Sequence, residues 1–517
     1  MSVSDKHPLY DEFLPDWDQM DDTYKGERTV KEAGTVYLPA TSGMKADGMN
    51  EGEAGQSDYD AYRTRAIYHD FVKDAVTMMV DIMHRKPAEI SLPKAMEPLR
   101  EQITSEGHSI NALMREISFN QLKKSRLGLL AEAPKGQGPR ALPFLAVYTA
   151  QAITNWKTGE TGDDQKNLDF LILDESEQVA NGFSWQNKDK FRVLLAPESE
   201  QADGLTTESQ GNGFWNVPVE GKDGDVASAD AVRPHIGGNS LDYIPFTFIN
   251  ADDLNSEPEP PVLIGLSNLT LAIYRGEADY RQTLFQQGQD TLVIIGAELG
   301  DEDDEGGKTR VGTGSKIEVG QGGDAKMIGS KADGLSEQRL ALDTDKTQAA
   351  ERGARLLDFG DTSRQSGDAL RIRVAARTTT LRTIALNGAE GLQQSLRQIA
   401  EWVGANPKEV IVKPNLDFTD DAFTGQDVLE YMQAKAMGAP LSLQSIHAQF
   451  RKRDLTEMTF EQEMEVIDGE KSLTLGTVLD IRKEEGDKTK DKKPGKGKDP
   501  RQKTQDGTPG PNTTTDN

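Results

Sequence analysis

Hydrophobic positions recur at helical spacing most clearly between Pro260 and Trp402. After a double proline, Pro260-Pro261, the segment Gly265–Gln287 sets Leu266, Leu269, Ile273, Tyr280 and Leu284 on one stripe, with Arg275, Glu277, Asp279 and Arg281 elsewhere. That pattern predicts a helix of about 35 Å with one packed and one exposed side. An apolar run follows, Thr291–Gly296, then a Gly- and acid-rich stretch to about Lys331. A second helical segment, Leu335–Leu357, leads through a short polar loop, Phe359–Asp368, into a third and longer one, Ala369–Val403. Its apolar positions are Leu370, Val374, Leu381, Ile384, Leu392, Leu396, Ile399 and Val403, and Arg371, Arg373, Arg377 and Arg382 crowd its first half. Helix, small module, helix, polar loop and long helix read as architecture rather than as an active site.

Elsewhere the pattern is weaker. The first 60 residues scatter Tyr10, Phe13, Trp17 and Tyr24 among acids and read as loosely structured, with Val36–Pro39 as a short strand and Thr41–Asp58 as a loop. Tyr62, Ala66, Phe71, Val72, Val76, Met79, Val80 and Met83 predict one helix over Tyr59–Arg85, stopped at Lys86-Pro87. A helix over Ile110–Ser125 and a strand over Leu127–Ala131 come next, and a short helix is predicted over Thr149–Trp156. Apolar runs at Phe170–Leu173, Phe191–Leu195 and Tyr243–Ile249, separated by turn-rich segments such as Asn181–Asp189, predict strands. The class is α+β, with an antiparallel sheet before residue 258. After the long helix, Val410–Val412 predicts a strand, and Gln426–Met437, Ser442–Arg451 and Thr459–Asp468 three short helices, the second capped by Ser442. Beyond about Asp480 the composition is that of a disordered segment.

Charge and residue usage narrow the function. The chain has 517 residues, enough for several domains, and a net charge of −27. Residues 482–517 hold ten Lys+Arg against seven Asp+Glu, a surplus of +3 that leaves −30 on the rest. A field of that sign disfavours ordinary duplex binding but suits a surface that DNA must slide past. There is no cysteine, so disulfides, thiol nucleophiles and Cys-ligated metals are excluded. No apolar run approaches the ~20 residues that span a bilayer, and the start of the chain lacks a signal-peptide pattern, so a soluble protein with no membrane partner is expected. Gly307-Lys308-Thr309 invites a phosphate-loop reading, but the required upstream glycine is Glu302 and residues 301–305 are all acidic. Those acids bind Mg²⁺ weakly at best. The six histidines lie far apart, with no HExxH and no GxSxG, so neither a metal site nor a catalytic residue is indicated, and no enzyme or cofactor is expected.

Four segments, quoted in order, carry a resemblance: YDAYRTRAIYHDFVKDAVTMMVDIMHRKPAEISLP (59–93), YTAQAITNW (148–156), PPVLIGLSNLTLAIYRGEADYRQTLFQQGQDTLVIIG (260–296) and SRQSGDALRIR (363–373). Together they resemble the portal proteins of tailed bacteriophages, in particular a portal-like family long catalogued as a domain of unknown function. The likeness covers about residues 30–470. It lies in the order of segments; the insertion at 301–323 and the basic tail have no counterpart. It implies a portal fold: an N-terminal region and α/β wing (1–258), a first stem helix (259–289), a small clip (290–334), a second stem helix (335–360), a tunnel loop (361–368), a long helix with a wing return strand (369–418), a helical crown (419–478) and a disordered tail (479–517). The implied assembly is a homo-oligomeric ring, usually a dodecamer, at one capsid vertex of the virion, made in the host cytoplasm. Double-stranded DNA passes through its channel during packaging and ejection. The implied partners are the terminase large subunit, the head-tail adaptor and the major capsid protein. Asp361, Thr362, Ser363, Arg364, Gln365 and Ser366 become the loop nearest DNA. Arg371, Arg373 and Arg377 either pair with carboxylates of a neighbouring chain or subunit, or face an anionic polymer; both readings stay open. Two other classes compete: a head-tail connector or minor head protein without a portal channel, and a soluble enzyme with an unrevealed site.

Overall fold

The computed structural model describes residues 2–134, 142–159, 168–203, 212–222, 230–236, 238–287, 291–295, 324–328, 334–355 and 367–418, a few residues between 205 and 226, and parts of 429–469. Residues Met1–Phe418 form one unit and Thr419–Asn517 another.

The first unit begins with α1 (Pro8–Lys25), α2 (Glu27–Glu32), α3 (Ser42–Ala46) and α4 (Ala54–Arg65). The loose N-terminal region and its loop over Thr41–Asp58 are thereby corrected. Tyr10, Trp17, Met20 and Thr23 fall on one buried stripe of α1, and its acids occupy the other face. The predicted strand at Val36–Pro39 is instead a 3₁₀ turn, Gly34–Val36, where the Leu38 carbonyl accepts the Tyr59 hydroxyl at 2.9 Å. The single helix over Tyr59–Arg85 is two, because Ala66 at the end of α4 turns extended before α5 (Phe71–Met83) begins.

Next come β1 (Glu89–Ser91), α6 (Ile110–Lys124), β2 (Arg126–Glu132), β3 (Phe144–Thr149), β4 (Ile153–Thr158), β5 (Leu168–Asp174), β6 (Glu177–Asn181), β7 (Ser184–Lys188), β8 (Lys190–Leu195), β9 (Trp215–Glu220) and β10 (Phe246–Asn250). The helix expected over Thr149–Trp156 is corrected: β3 ends there, a 3₁₀ turn follows, and β4 starts at Ile153. Ile153, Thr154 and Trp156 suit a strand, and the Thr154 hydroxyl donates to the Ile172 carbonyl at 3.1 Å. Two antiparallel sheets result, of order β10-β2-β3 and β4-β5-β8-β9. Phe246 sits opposite Leu130 and Asn250 opposite Arg126. The turn-rich stretch Asn181–Asp189 holds half of a further hairpin, β6 with β7, not anticipated from the sequence.

Three long helices follow, α7 (Ile264–Gln287), α8 (Leu335–Arg355) and α9 (Gly367–Trp402), with the antiparallel pair β11 (Thr291–Ile295) and β12 (Asp324–Ile328) between the first two. β13 (Ile411–Lys413) closes the unit against β1, Val412 opposite Ile90. The fold is mixed α and β, as expected. Its main core joins Trp17, Ile117, Leu127, Leu129, Phe246 and Leu396, so α6, α9 and the three-stranded sheet share one interior.

In the second unit, a ten-residue helix, Leu443–Lys452, begins at Ser442, whose hydroxyl accepts the Ser445 N–H at 2.9 Å as its capping role requires. A further helix spans 460–469.

Candidate functional site

The candidate site is the helical assembly α7–α8–α9 and the body that carries it. Its root is Ser125, the one non-glycine residue of positive φ among those described, at 56°. This left-handed residue ends α6: its N–H donates to the Gln121 carbonyl at 2.9 Å, its carbonyl accepts Ala251 N–H at 3.1 Å, and its hydroxyl accepts Val262 N–H at 2.9 Å. A conformation costly for a residue with a Cβ is held by three bonds, of which the one to Val262 ties the segment entering α7 to the body.

From that root α7 runs buried for four turns. Leu266, Ser267, Thr270, Leu271, Ile273, Tyr274 and Ala278 are all sealed, packing on α5 and on the α2–α4 cluster. From Asp279 onward the helix emerges, and Leu284 and Phe285 are exposed. The packed side predicted from Leu266 and Ile273 is observed; Leu284, predicted on the same stripe, is 41% exposed.

Glu277 was placed by sequence on the polar side, and the structure corrects this: it is only 2% exposed. Its carboxylate takes Lys346 Nζ of α8 at 2.5 Å and Arg281 Nε at 2.8 Å, with His69 Nε2 3.7 Å away. Burial pushes this carboxyl up, but the hydrogen bond and charge of Lys346, reinforced by Arg281, outweigh it and hold it below the usual range. Immediately before Glu277, Gly276 lets α8 come close: a Cβ there meets Leu342 Cδ2 at 2.8 Å. The joint is therefore an ion pair beside an apolar contact. The signal was available, since Glu277 follows Ile273 and Tyr274 by four and three residues and so shares their face.

Glu277→Ala is expected to strip Lys346 and Arg281 of their partner and loosen α8 by about 2 kcal/mol, the range for hydrogen bonds to charged groups. Amide exchange along α8 then accelerates about 30-fold near neutral pH. Because the folded carboxyl lies below its unfolded value of 4.5, the stabilisation is complete above that pH and disappears as pH falls through the folded pKa. Unchanged α8 protection in the variant rules this joint out.

α9 has 36 residues, about 54 Å at 1.5 Å per residue. Its second half lies in the core, burying Leu381, Ile384, Leu392, Leu396, Ile399 and Trp402. Close passage over α6 depends on Gly388, where a Cβ meets Gln121 Oε1 at 2.6 Å. Trp402 anchors the end: its Nε1 donates to the Asn239 carbonyl at 3.1 Å and its ring meets Phe214 edge-on at 6.1 Å.

Asp361, Thr362, Ser363, Arg364, Gln365 and Ser366 lie outside the described residues, as do 301–305 and the tail beyond 479. Arg371, Arg373 and Arg377 fall on the first turns of α9, and their side chains are likewise outside the description. Of the histidines, His84 is a packing residue. It bonds Ser118 Oγ at 2.9 Å, and burial, with Arg115 nearby, pushes its pKa down to about 4. Among the described residues no group of His, Asp or Glu is arranged to hold a metal, and no helix is long and apolar enough to cross a membrane.

A sequence feature missed entirely is Arg126. Fully buried, it lies between the rings of Trp156 (4.5 Å) and Phe248 (4.8 Å), and His7 stacks on the same Trp156 at 4.1 Å. Its Nη1 donates to the Ser256 carbonyl at 2.7 Å, tying the sheet to the segment that leads into α7.

Residues 262–403 match the model of a domain of unknown function, DUF4055. No curated protein matches the chain. Among solved structures, a chain of the virion of native gene transfer agent (GTA) particle is 14% identical, with a TM-score of 0.36, over 75% of this chain and 90% of that one. A chain from the neck of the empty GTA particle, computed with C6 symmetry, is 12% identical with a TM-score of 0.38, over 79% of this chain and 97% of that one. One from the neck of the native particle, computed with C12 symmetry, is 14% identical with a TM-score of 0.33, over 72% and 87%. Likenesses this remote leave function to be argued from the chain's own residues.

Proposed function

We propose that this chain is a portal-type subunit, a non-enzymatic component of a virion that closes into a ring, twelve copies by the pattern it resembles, around a channel for double-stranded DNA. The observation that carries the reading is the run Ile264–Trp402: a helix rooted in an α/β body, a strand pair, a helix returning alongside it, and a 36-residue helix re-entering the core. The family match, 262–403, coincides with that run.

The exposure of α8 supports a ring. Of its 21 residues, only Leu342, Ala349 and Gly353 are buried among those whose side chains are described, and Leu340 is 62% exposed. A helix held by one narrow line has two flanks for neighbours. The net charge of −27 suits a conduit that neither grips nor halts a duplex. In this reading α7 and α8 form the stem, β11–β12 belongs to the clip that meets the terminase large subunit and later the head-tail adaptor, residues 361–366 reach the channel, and the outer body sits among the major capsid protein.

Sedimentation of the purified protein tests the assembly. The full chain is expected to run as a closed oligomer of one size, and a chain ended after Asp480 to run the same way, because residues beyond it lack the apolar content to bury an interface. A monomeric full chain speaks for the connector or enzyme readings; a monomeric truncated chain shows that the tail builds the interface.

A further inference from the structure

The β6–β7 hairpin stands clear of the body. Every residue of both strands is exposed, Phe183 at its tip completely and Trp185 by 69%. A two-stranded hairpin with no packed face is at best marginally stable in water, so this one is built to be covered. Its sequence says by what. Gln178–Asn187 is ten consecutive residues without a charge, in a chain where 28% of residues are charged.

At the base of the same hairpin, where Glu175 and Lys190 flank it, lies a cavity of about 360 Å³. Phe214, Pro218, Val232 and Trp402 give it an apolar lining. Its charged groups are already engaged: Arg192 holds Glu132 at 2.6 Å and Glu175 at 2.7 Å, Lys190 reaches Glu175 at 3.3 Å, and Arg233 lies over the Trp215 ring at 4.1 Å. Such a site has little to offer an ion and suits an uncharged aromatic knob ringed by polar groups, the anatomy of an interface hot spot.

We infer that the Phe183–Trp185 tip of one copy inserts into this cavity on the next copy, as the outer lock between adjacent subunits. The occupant is a second copy of this chain because the chain carries a net charge of −27. Two such chains repel wherever acid meets acid, and an uncharged knob entering a cavity whose charges are already engaged avoids that cost. Knob and hole are different patches of one chain, so the contact is heterologous, as a cyclic ring requires. The inference rests on the ring proposed above and adds where its subunits lock.

The absence of cysteine makes a clean test. In the full chain carrying F183C and V232C, the latter at the exposed mouth of the cavity, mild oxidation is expected to give a ladder of cross-linked species well above the dimer on a non-reducing gel. F183C alone gives none. A second variant, F183A/W185A, is expected to weaken association at least about 30-fold, in the range of hot-spot truncations. The subunit keeps its far-UV circular dichroism, since both side chains are exposed within one chain. Rings seen by microscopy without the ladder overturn the lock and leave the ring standing. A monomeric chain without the ladder overturns both, and a dimer from F183C alone shows tip-to-tip pairing and overturns the cavity as the acceptor.

Discussion

In the proposed ring, deletion of residues 361–366 is expected to leave assembly intact and to impair DNA packaging or retention. The expected result is a particle of unchanged mass and symmetry whose capsids package poorly or lose their DNA, with yield of filled heads down by orders of magnitude. α8 ends at Arg355 and α9 starts at Gly367, and the sequence Asp361–Ser366 between them is wholly polar, so the deletion removes no apolar side chain. Stability is therefore expected to tolerate the deletion, and the proposed transport is not. Filled-head counts equal to wild type would falsify the loop's placement at the channel. Subunits that no longer assemble would instead make it part of an interface.

Arg126→Ala is expected to cost the first unit about 3–5 kcal/mol, the scale for removing one side of a buried ionic arrangement. The truncation opens a void between Trp156 and Phe248 and frees the Ser256 carbonyl. It also takes away the cation nearest Asp253 and Glu259, whose charges favour the guanidinium against the burial that lowers its pKa to about 9. Glu259 is already strained, pushed up to about 7 by burial, with Asp253 and Asp252 beside it. Its raised pKa means that the folded state loses stability as pH climbs from the unfolded value of 4.5 towards 7, and losing Arg126 deepens that loss. Arg126→Met, which refills the slot without a charge, is expected to cost less than half as much. Urea unfolding of the three proteins decides the matter: a wild-type midpoint for Arg126→Ala, or a methionine variant worse than the alanine one, contradicts this account of the stack.

The helices legible in the sequence were those whose apolar residues keep a 3.6-residue period over many turns. α6, α7, α8 and α9 appear within a few residues of their predicted ends. α1 was missed because seven acidic or amide positions crowd around Tyr10, Trp17 and Met20, and the average polarity hid a four-residue stripe. The 149–156 stretch was misread because Ala150-Gln151-Ala152 favours a helix locally, while pairing of Ile153 with Leu173 and Trp156 with Leu171 decides the outcome. The β6–β7 hairpin carries no alternating pattern because neither of its faces is buried within one chain. Glu277 and Arg126 went unrecognised for a common reason: a charged residue inside an apolar stripe reads as a boundary until its partner, distant in sequence, is known. The proposed site divides the same way. Its frame was legible as an order of segments, whereas the ion-paired joint and the aromatic stack that hold the frame arise only from tertiary contact.

Electron microscopy of the purified full-length protein tests the central claim most directly, because it reads symmetry and channel in one image. The account predicts top views that are closed rings with a central hole wide enough for a duplex. Compact particles without a hole, or rings closed at the centre, would contradict it.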